Sequence, residues 1–247
     1  MDGHASTSFT DRLRRGDTLV GTVLTLPSVQ LAELAAEPLD LVWLDLEHGA
    51  LDVGDVPSLA VAARAAGAAA FVRLPSADAA GLAALLDAGV DGIVAPCVES
   101  AAAARRLVER LHHPPRGTRG FASRRAQRYG RGGGPNPLCL AQIESAAGVE
   151  AAGAVAAVAG VDALVVGVAD LELELGLDPR EAIAEVQEAA VAHGVASGIA
   201  GPAEAEHLLE LAGGRSSLLI CSADVRLYAR AIDGAVAPLR EWLGVGA

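Results

Sequence analysis

The chain has 247 residues, 52% hydrophobic and 20% charged, with a formal net charge of −12. That composition is globular, supplies a sizeable core and excludes a disordered chain. All 19 basic residues are arginine, so chemistry that needs a lysine amine is excluded, including Schiff-base aldolases, lysine-anchored pyridoxal enzymes and P-loop nucleotide hydrolases.

Short apolar runs occur at 19–25, 39–45, 69–74, 92–96, 138–143, 162–167, 195–199 and 217–222, and their length and apolar continuity predict eight strands. Between and after them lie Ala-, Leu-, Glu- and Arg-rich stretches near 28–36, 54–66, 78–88, 100–111, 146–158, 180–193, 202–212 and 223–242, with helical periodicity. Eight strand–helix units in sequence predict an α/β fold, a (β/α)8 barrel forming a single domain over 1–247. A doubly wound open sheet is the competing architecture, weakened because no GxGxxG follows the first strand. With aromatics at 3%, the interior must be filled by Ala, Val and Leu. The stretch 112–137, holding HHPPRGTRG and GRGGGPNP, reads as a long loop of the kind that shapes a site.

The acidic balance argues against nucleic acid and anionic membrane surfaces as partners. The N-terminus, MDGHASTSFTDRLRRGD, has no apolar signal core, and no apolar run is long enough to span a membrane, so a cytoplasmic location is expected. Cys97, Cys139 and Cys221 lie apart in apolar runs and show no disulfide or zinc spacing, which reads as buried free thiols.

A barrel of this type builds its active site at the C-terminal ends of its strands. Polar residues ending the apolar runs are therefore the candidates: Asp45, Glu47 and His48, then Arg73, Gln142, Glu144 and Asp170. Glu144 and Asp170, from neighbouring strands, suit a hard divalent ion, or each caps the helix that follows. His48 suits a general base oriented by Asp45, or is a loop histidine. Arg73 next to Leu74 suits an anionic substrate or oxyanion, or pairs with Asp45 or Glu47. His112 and His113 read as helix-end residues, and His4, His193 and His207 as surface residues. The cluster Arg124, Arg125, Arg128 and Arg131 reads as solvated charge, or as an attractor for an acidic substrate.

In order, WLDLEHG, FVRLP, PPRGTRG, QIES and GVADL resemble the HpcH/HpaI aldolase family, metal-dependent class II pyruvate aldolases of the phosphoenolpyruvate/pyruvate barrel superfamily. The resemblance spans roughly residues 16–235 and agrees with the missing lysine. It implies a divalent metal, Mg²⁺, Mn²⁺ or Co²⁺, held by Glu144 and Asp170. It implies that Arg73 stabilises an enolate oxygen and that His48 with Asp45 forms an acid/base dyad. Gln142 and the segment Gly167, Val168, Ala169 and Asp170 would lie against a pyruvate-like 2-oxo acid. The reaction implied is aldol cleavage or synthesis with an aldehyde, in a homo-oligomer (trimer or hexamer) whose C-terminal helix at 223–242 packs on a neighbour. Where the family reads GPADLS this chain has Val168 and Glu172 in place of Pro and Ser. Two other readings compete: a Claisen-type condensation with an acyl-CoA, for which the 124–131 arginines would have to lie near the mouth, and a noncatalytic barrel.

Overall fold

The structure is a computed structural model that describes residues 8–134, 136–176, 178–201 and 204–244. Its strands are β1 (Leu19–Leu24), β2 (Leu41–Asp45), β3 (Ala69–Arg73), β4 (Gly92–Ala95), β5 (Leu138–Ile143), β6 (Ala163–Gly167), β7 (Ala196–Gly201) and β8 (Leu218–Ala223). They close into one barrel in sequence order, β8 pairing with β1 and each pair parallel. Closure excludes the open doubly wound sheet. The helices of the described residues are α1 (Phe9–Arg14), α2 (Val29–Ala36), α3 (Val56–Ala65), α4 (Leu82–Ala88), α5 (Ala101–Leu111), α6 (Ala146–Ala156), α7 (Val168–Leu175), α8 (Arg180–His193), α9 (Ala205–Ala212) and α10 (Asp224–Leu243). No helix among the described residues is long and apolar enough to cross a membrane.

The two-residue period of a strand separates two cores. Val42, Leu44, Ala70, Val72, Cys139, Ala141, Leu164 and Val166 face outward and pack under the helices. Leu41, Trp43, Ala69, Phe71, Leu138, Leu140, Ala163 and Val165 face inward and fill the barrel. One step further along the same inward rows come Asp45, Arg73, Gln142 and Gly167. The alternation that fills the interior therefore also delivers the polar residues to its C-terminal rim.

The opposite rim is tied by a repeated device. Asp40, Asp91 and Asp162 each directly precede an even-numbered strand, and each accepts a hydrogen bond from an N–H of the strand before it. The donors are Val20, Ala70 and Cys139, each at 2.9 Å. Serines cap several helices in the expected way, Ser28, Ser100 and Ser145 each accepting an orphan N–H of the first turn of α2, α5 and α6.

The strands fall within two residues of their sequence positions, and two helices were not anticipated. Helix α1 is too short to display a period. It closes the base of the barrel with buried Leu13 and with Phe9 edge-on to Phe71, ring centroids 5.0 Å apart. Helix α7 begins directly at the end of β6 and buries only Val168 and Leu171, too narrow a stripe to stand out in GVADLELEL. The stretch 112–137 holds a 3-10 segment, Arg125–Gly130, in which Arg128 and Tyr129 adopt positive φ of 48° and 56°. Because it leads from α5 into β5, it lies at the N-terminal end of the barrel. His4 lies outside the described residues.

Candidate active site

Asp45 and Arg73 face each other as register partners on β2 and β3. Arg73 donates from Nε to Asp45 Oδ1 at 2.9 Å and from Nη2 to Oδ2 at 2.6 Å. Glu47 Oε2 lies 3.2 Å from Arg73 Nε as a second counter-charge, and the Trp43 ring lies 5.7 Å beneath the guanidinium. These partners are what allow a guanidinium whose side chain is 11% exposed to remain charged. Burial pushes the Asp45 carboxyl up, but the hydrogen bond and charge of Arg73, helped by the N–H groups of Glu47 and His48, hold it below the usual carboxylate value. Glu47 moves the other way, raised first by burial and then, against the pull of Arg73, by the charge of Glu144. The turn that follows is tight: a Cβ on Gly49 would lie 2.3 Å from the Asp45 carbonyl oxygen, which is why WLDLEH ends in glycine.

Across the mouth, Glu144 is 6% exposed. Its Oε1 accepts the Cys97 N–H at 2.7 Å and the Cys97 thiol at 3.1 Å, and its Oε2 accepts from Gln142 Nε2. The carboxylate rests over the bare backbone of Gly167, where a Cβ would come within 2.7 Å of both Glu144 Oε2 and Gln142 Nε2. Gln142 Oε1 is buried with no hydrogen-bond partner, as is Glu47 Oε2. Asp170 and Ala169 are exposed in the first turn of α7, while the Val168 side chain is buried in the outer core, so Val168 can offer the mouth only its backbone.

Several expectations require correction. Asp45 and His48 do not form a dyad here: the Asp45 carboxylate is taken up by Arg73, and the His48 ring, 66% exposed, has its Nε2 3.8 Å from Glu47 Oε2. The reason is register, which sets Asp45 opposite Arg73 and turns the next polar side chains toward the rim. The arginines of the long loop are not at the mouth. Arg125 and Arg128 line a cavity at the N-terminal face, and Arg124 and Arg131 are exposed on the same loop, because a helix-to-strand connection ends where strands begin. The thiols are not all buried either. Cys139 is, Cys221 is half-buried, and Cys97 is exposed at the mouth with a positive φ of 48° and a thiol pushed up to about 12 by burial and by Glu144. His112 and His113 turn Nδ1 to the carbonyls of Val108 and Arg119, His193 ends α8 exposed, and His207 pairs loosely with Glu210.

Sequence reasoning missed Cys97, placed at the rim by the end of β4, although its position after IVAP follows the same strand-end rule. It also missed Asp224, which opens α10 and accepts from Thr25 N, Thr25 Oγ1 and Leu26 N at 2.9, 2.6 and 3.1 Å, tying the loop after β1 to the end of β8.

Among the described residues no three His, Cys, Asp or Glu side chains gather as a metal cage; a divalent ion held by two carboxylates would complete its shell with water and substrate. The rim fits such an ion. Asp45, Glu47 and Glu144 surround Arg73, and two buried oxygens at this rim, Glu47 Oε2 and Gln142 Oε1, lack hydrogen-bond partners.

A family model described as HpcH/HpaI aldolase/citrate lyase matches residues 27–205. The chain is 38% identical over 191 residues to a hydroxypyruvate/pyruvate aldolase of Rhizorhabdus wittichii, covering 71% of this chain and 76% of that protein. It is 31% identical to a 2-keto-3-deoxy-L-rhamnonate aldolase of Salmonella gallinarum, covering 98% of this chain and 96% of that protein. Its fold superposes on a crystal structure of an HpcH/HpaI aldolase/citrate lyase family protein from Burkholderia cenocepacia with a TM-score of 0.88, at 32% identity over 95% of this chain and all of the other.

Proposed function

The chain belongs to the HpcH/HpaI aldolase/citrate lyase family and is a carbon–carbon lyase, and we propose that it is a divalent-metal-dependent aldolase that splits or joins a pyruvate-type 2-oxo acid and an aldehyde. The observation that carries this reading is the close seating of the Glu144 carboxylate on Gly167, across the rim from a guanidinium already fixed by Asp45. Glu144 and Asp170 would hold the ion, Mg²⁺, Mn²⁺ or Co²⁺. When bound, such an ion supplies Lewis-acid polarisation of the keto group, the task a lysine iminium performs in other aldolases.

Arg73 has two of its nitrogens engaged by Asp45, which fixes the plane of the guanidinium, and Nη1 takes no hydrogen bond among the described residues. That donor faces negative charge growing on the keto oxygen as the enolate forms, and it needs no reorganisation to do so. Gln142 and the backbone of Gly167, Val168 and Ala169 orient the 2-oxo acid. His48, open to water, takes the proton of the aldehyde-derived hydroxyl in cleavage and returns it in synthesis. The competing acyl-CoA condensation needed anion-binding arginines at the mouth, and Arg125 and Arg128 lie at the other face.

Proton–deuterium exchange at the methyl group of pyruvate, followed by NMR, tests this reading. Exchange is expected with Mg²⁺ or Mn²⁺, to stop with chelator and to be lost in Arg73→Ala. Exchange that persists undiminished with chelator overturns the metal, and a wild-type rate in Arg73→Ala overturns that residue's role. A homo-oligomer, trimer or hexamer, is part of the same reading. It is supported by α10, whose only buried residue is Asp224 and which exposes Leu239, Trp242 and Leu243 at 62%, 84% and 63%. Sedimentation of the wild type and of Trp242→Glu measures it.

A further inference from the structure

A concentration of basic side chains lies away from the mouth. A cavity of about 770 Å³ opens at the N-terminal face, bounded by α1, by the starts of β4, β5 and β6 at Asp91, Leu138 and Asp162, and by the loop after α5. Six of the chain's 19 arginines line it: Arg14, Arg64, Arg116, Arg119, Arg125 and Arg128. The like charges of such a gathering repel one another unless something between them opposes it.

The aspartates on the same wall are already engaged. Asp91 is bonded by Arg64 Nε and Nη2 at 2.9 and 2.7 Å and by the Ala70 N–H. Asp162 accepts the Cys139 N–H and lies within the field of Arg14 and Arg116, and Asp11 accepts from Ser8 Oγ. Arg14, Arg116, Arg125 and Arg128 have no salt bridge within 4.0 Å among the described residues. Arg119 is the sharpest case. Its side chain is only 5% exposed, its Nε and Nη2 have no hydrogen-bond partner, and its nearest counter-charge is Asp87 Oδ1 at 3.6 Å. Those two nitrogens are closed off from the cavity, so what Arg119 offers it is the positive charge of a guanidinium set in its wall, which a bound oxyanion would complement.

We propose that this cavity binds a small organic polyanion, a ligand carrying two or more phosphate or carboxylate groups. Arg119 anchors one group from the wall, and Arg14, Arg116 and Arg125 meet the others. The volume lies within the range of small-molecule sites, about 300–1,000 Å³, and exceeds what a single inorganic ion needs. Since chemistry in this fold occurs at the C-terminal ends of the strands, such a ligand is not the substrate. It binds the folded barrel and stabilises it by mass action.

Calorimetric titration of the full-chain protein with pyrophosphate, with citrate and with acetate, at constant ionic strength, tests the proposal. Saturable binding of pyrophosphate or citrate, with none of singly charged acetate, is expected, and the stronger of the two identifies phosphate or carboxylate as the recognised group. Arg119→Gln, Arg116→Gln and Arg125→Gln should each weaken binding about tenfold. Arg116 and Arg125 are less buried than Arg119, so their variants carry the test if Arg119→Gln fails to fold. Glu144→Gln should leave the affinity unchanged. Binding abolished by Glu144→Gln and untouched by the arginine variants would place the anion at the mouth and overturn the proposal, as would no saturable binding of either polyanion.

Discussion

The two ends of the barrel are electrostatic opposites built by different parts of the chain. At the mouth, Asp45, Glu47 and Glu144 surround one arginine, and these groups come from the strands or the first residues after them. At the base, six arginines face three aspartates, and the arginines come from helices and from the loop after α5. The difference teaches where each charge pattern is encoded. Charge at the mouth is set by the strand period, which assigns alternate residues to the interior and leaves little freedom. Charge at the base is set by connections, whose side chains no period assigns.

Glu144→Ala should mark the contrast most strongly, lowering kcat/KM about 10²–10³-fold while the Arg119-side cavity keeps its anion affinity. Steady-state kinetics beside a binding isotherm decide it, and activity within tenfold of wild type would remove Glu144 from the mechanism. Asp45→Asn comes next, costing about 3 kcal/mol as Arg73 loses its closest counter-charge. Because Asp45 titrates below its ordinary value in the folded state, its stabilisation is present above the unfolded value near 3.8 and is lost as the pH falls through the lower folded value. Urea midpoints of wild type and variant should differ most near neutrality and converge in acid.

Gly167→Ala should lower turnover about tenfold and stability by about 1–3 kcal/mol, because the added carbon displaces the Glu144 carboxylate. A variant with full activity would show that the carboxylate shifts without penalty. The smallest effect is expected at the base. Burial pushes Asp162 up, only partly countered by the Cys139 N–H and by Arg14, His112 and Arg116, so its charge costs stability at neutral pH and the cost fades as the pH falls through the raised value. Asp162→Asn, which keeps an acceptor for Cys139, should leave stability at pH 7 within about 0.5 kcal/mol of wild type or slightly higher, and should tighten pyrophosphate or citrate binding.

The eight strands were legible because buried parallel strands read as unbroken apolar runs, and the rim followed from where those runs end. Arg73 and Glu144 could be placed in this way with no contact known. What could not be read was partner choice. Asp45 precedes His48 by three residues, but the β2–β3 register carries it to Arg73, and register is a property of two strands that neither displays alone. The long loop is legible from its Pro and Gly, and its order in the chain, after a helix and before a strand, assigns it to the base and its arginines away from the mouth. Cys97 was hidden for another reason: in PCVE it resembles the end of an apolar run, and only the turn at positive φ brings its thiol to Glu144.

The aspartates before β2, β4 and β6 do more than satisfy three N–H groups. Each stitches the base of one odd strand to the connection that starts the next even one, so β1 is clipped to β2, β3 to β4 and β5 to β6. The barrel is thereby a ring of doublets whose seams are not equivalent. A circular permutant opened between β2 and β3 leaves every stitch within a continuous doublet, whereas one opened between β3 and β4 sends the ends of a stitch to opposite termini, where closing it must bring distant parts of the chain together. The first should refold faster than the second, and the hydrogen exchange of the Val20, Ala70 and Cys139 amides would report which stitches had closed.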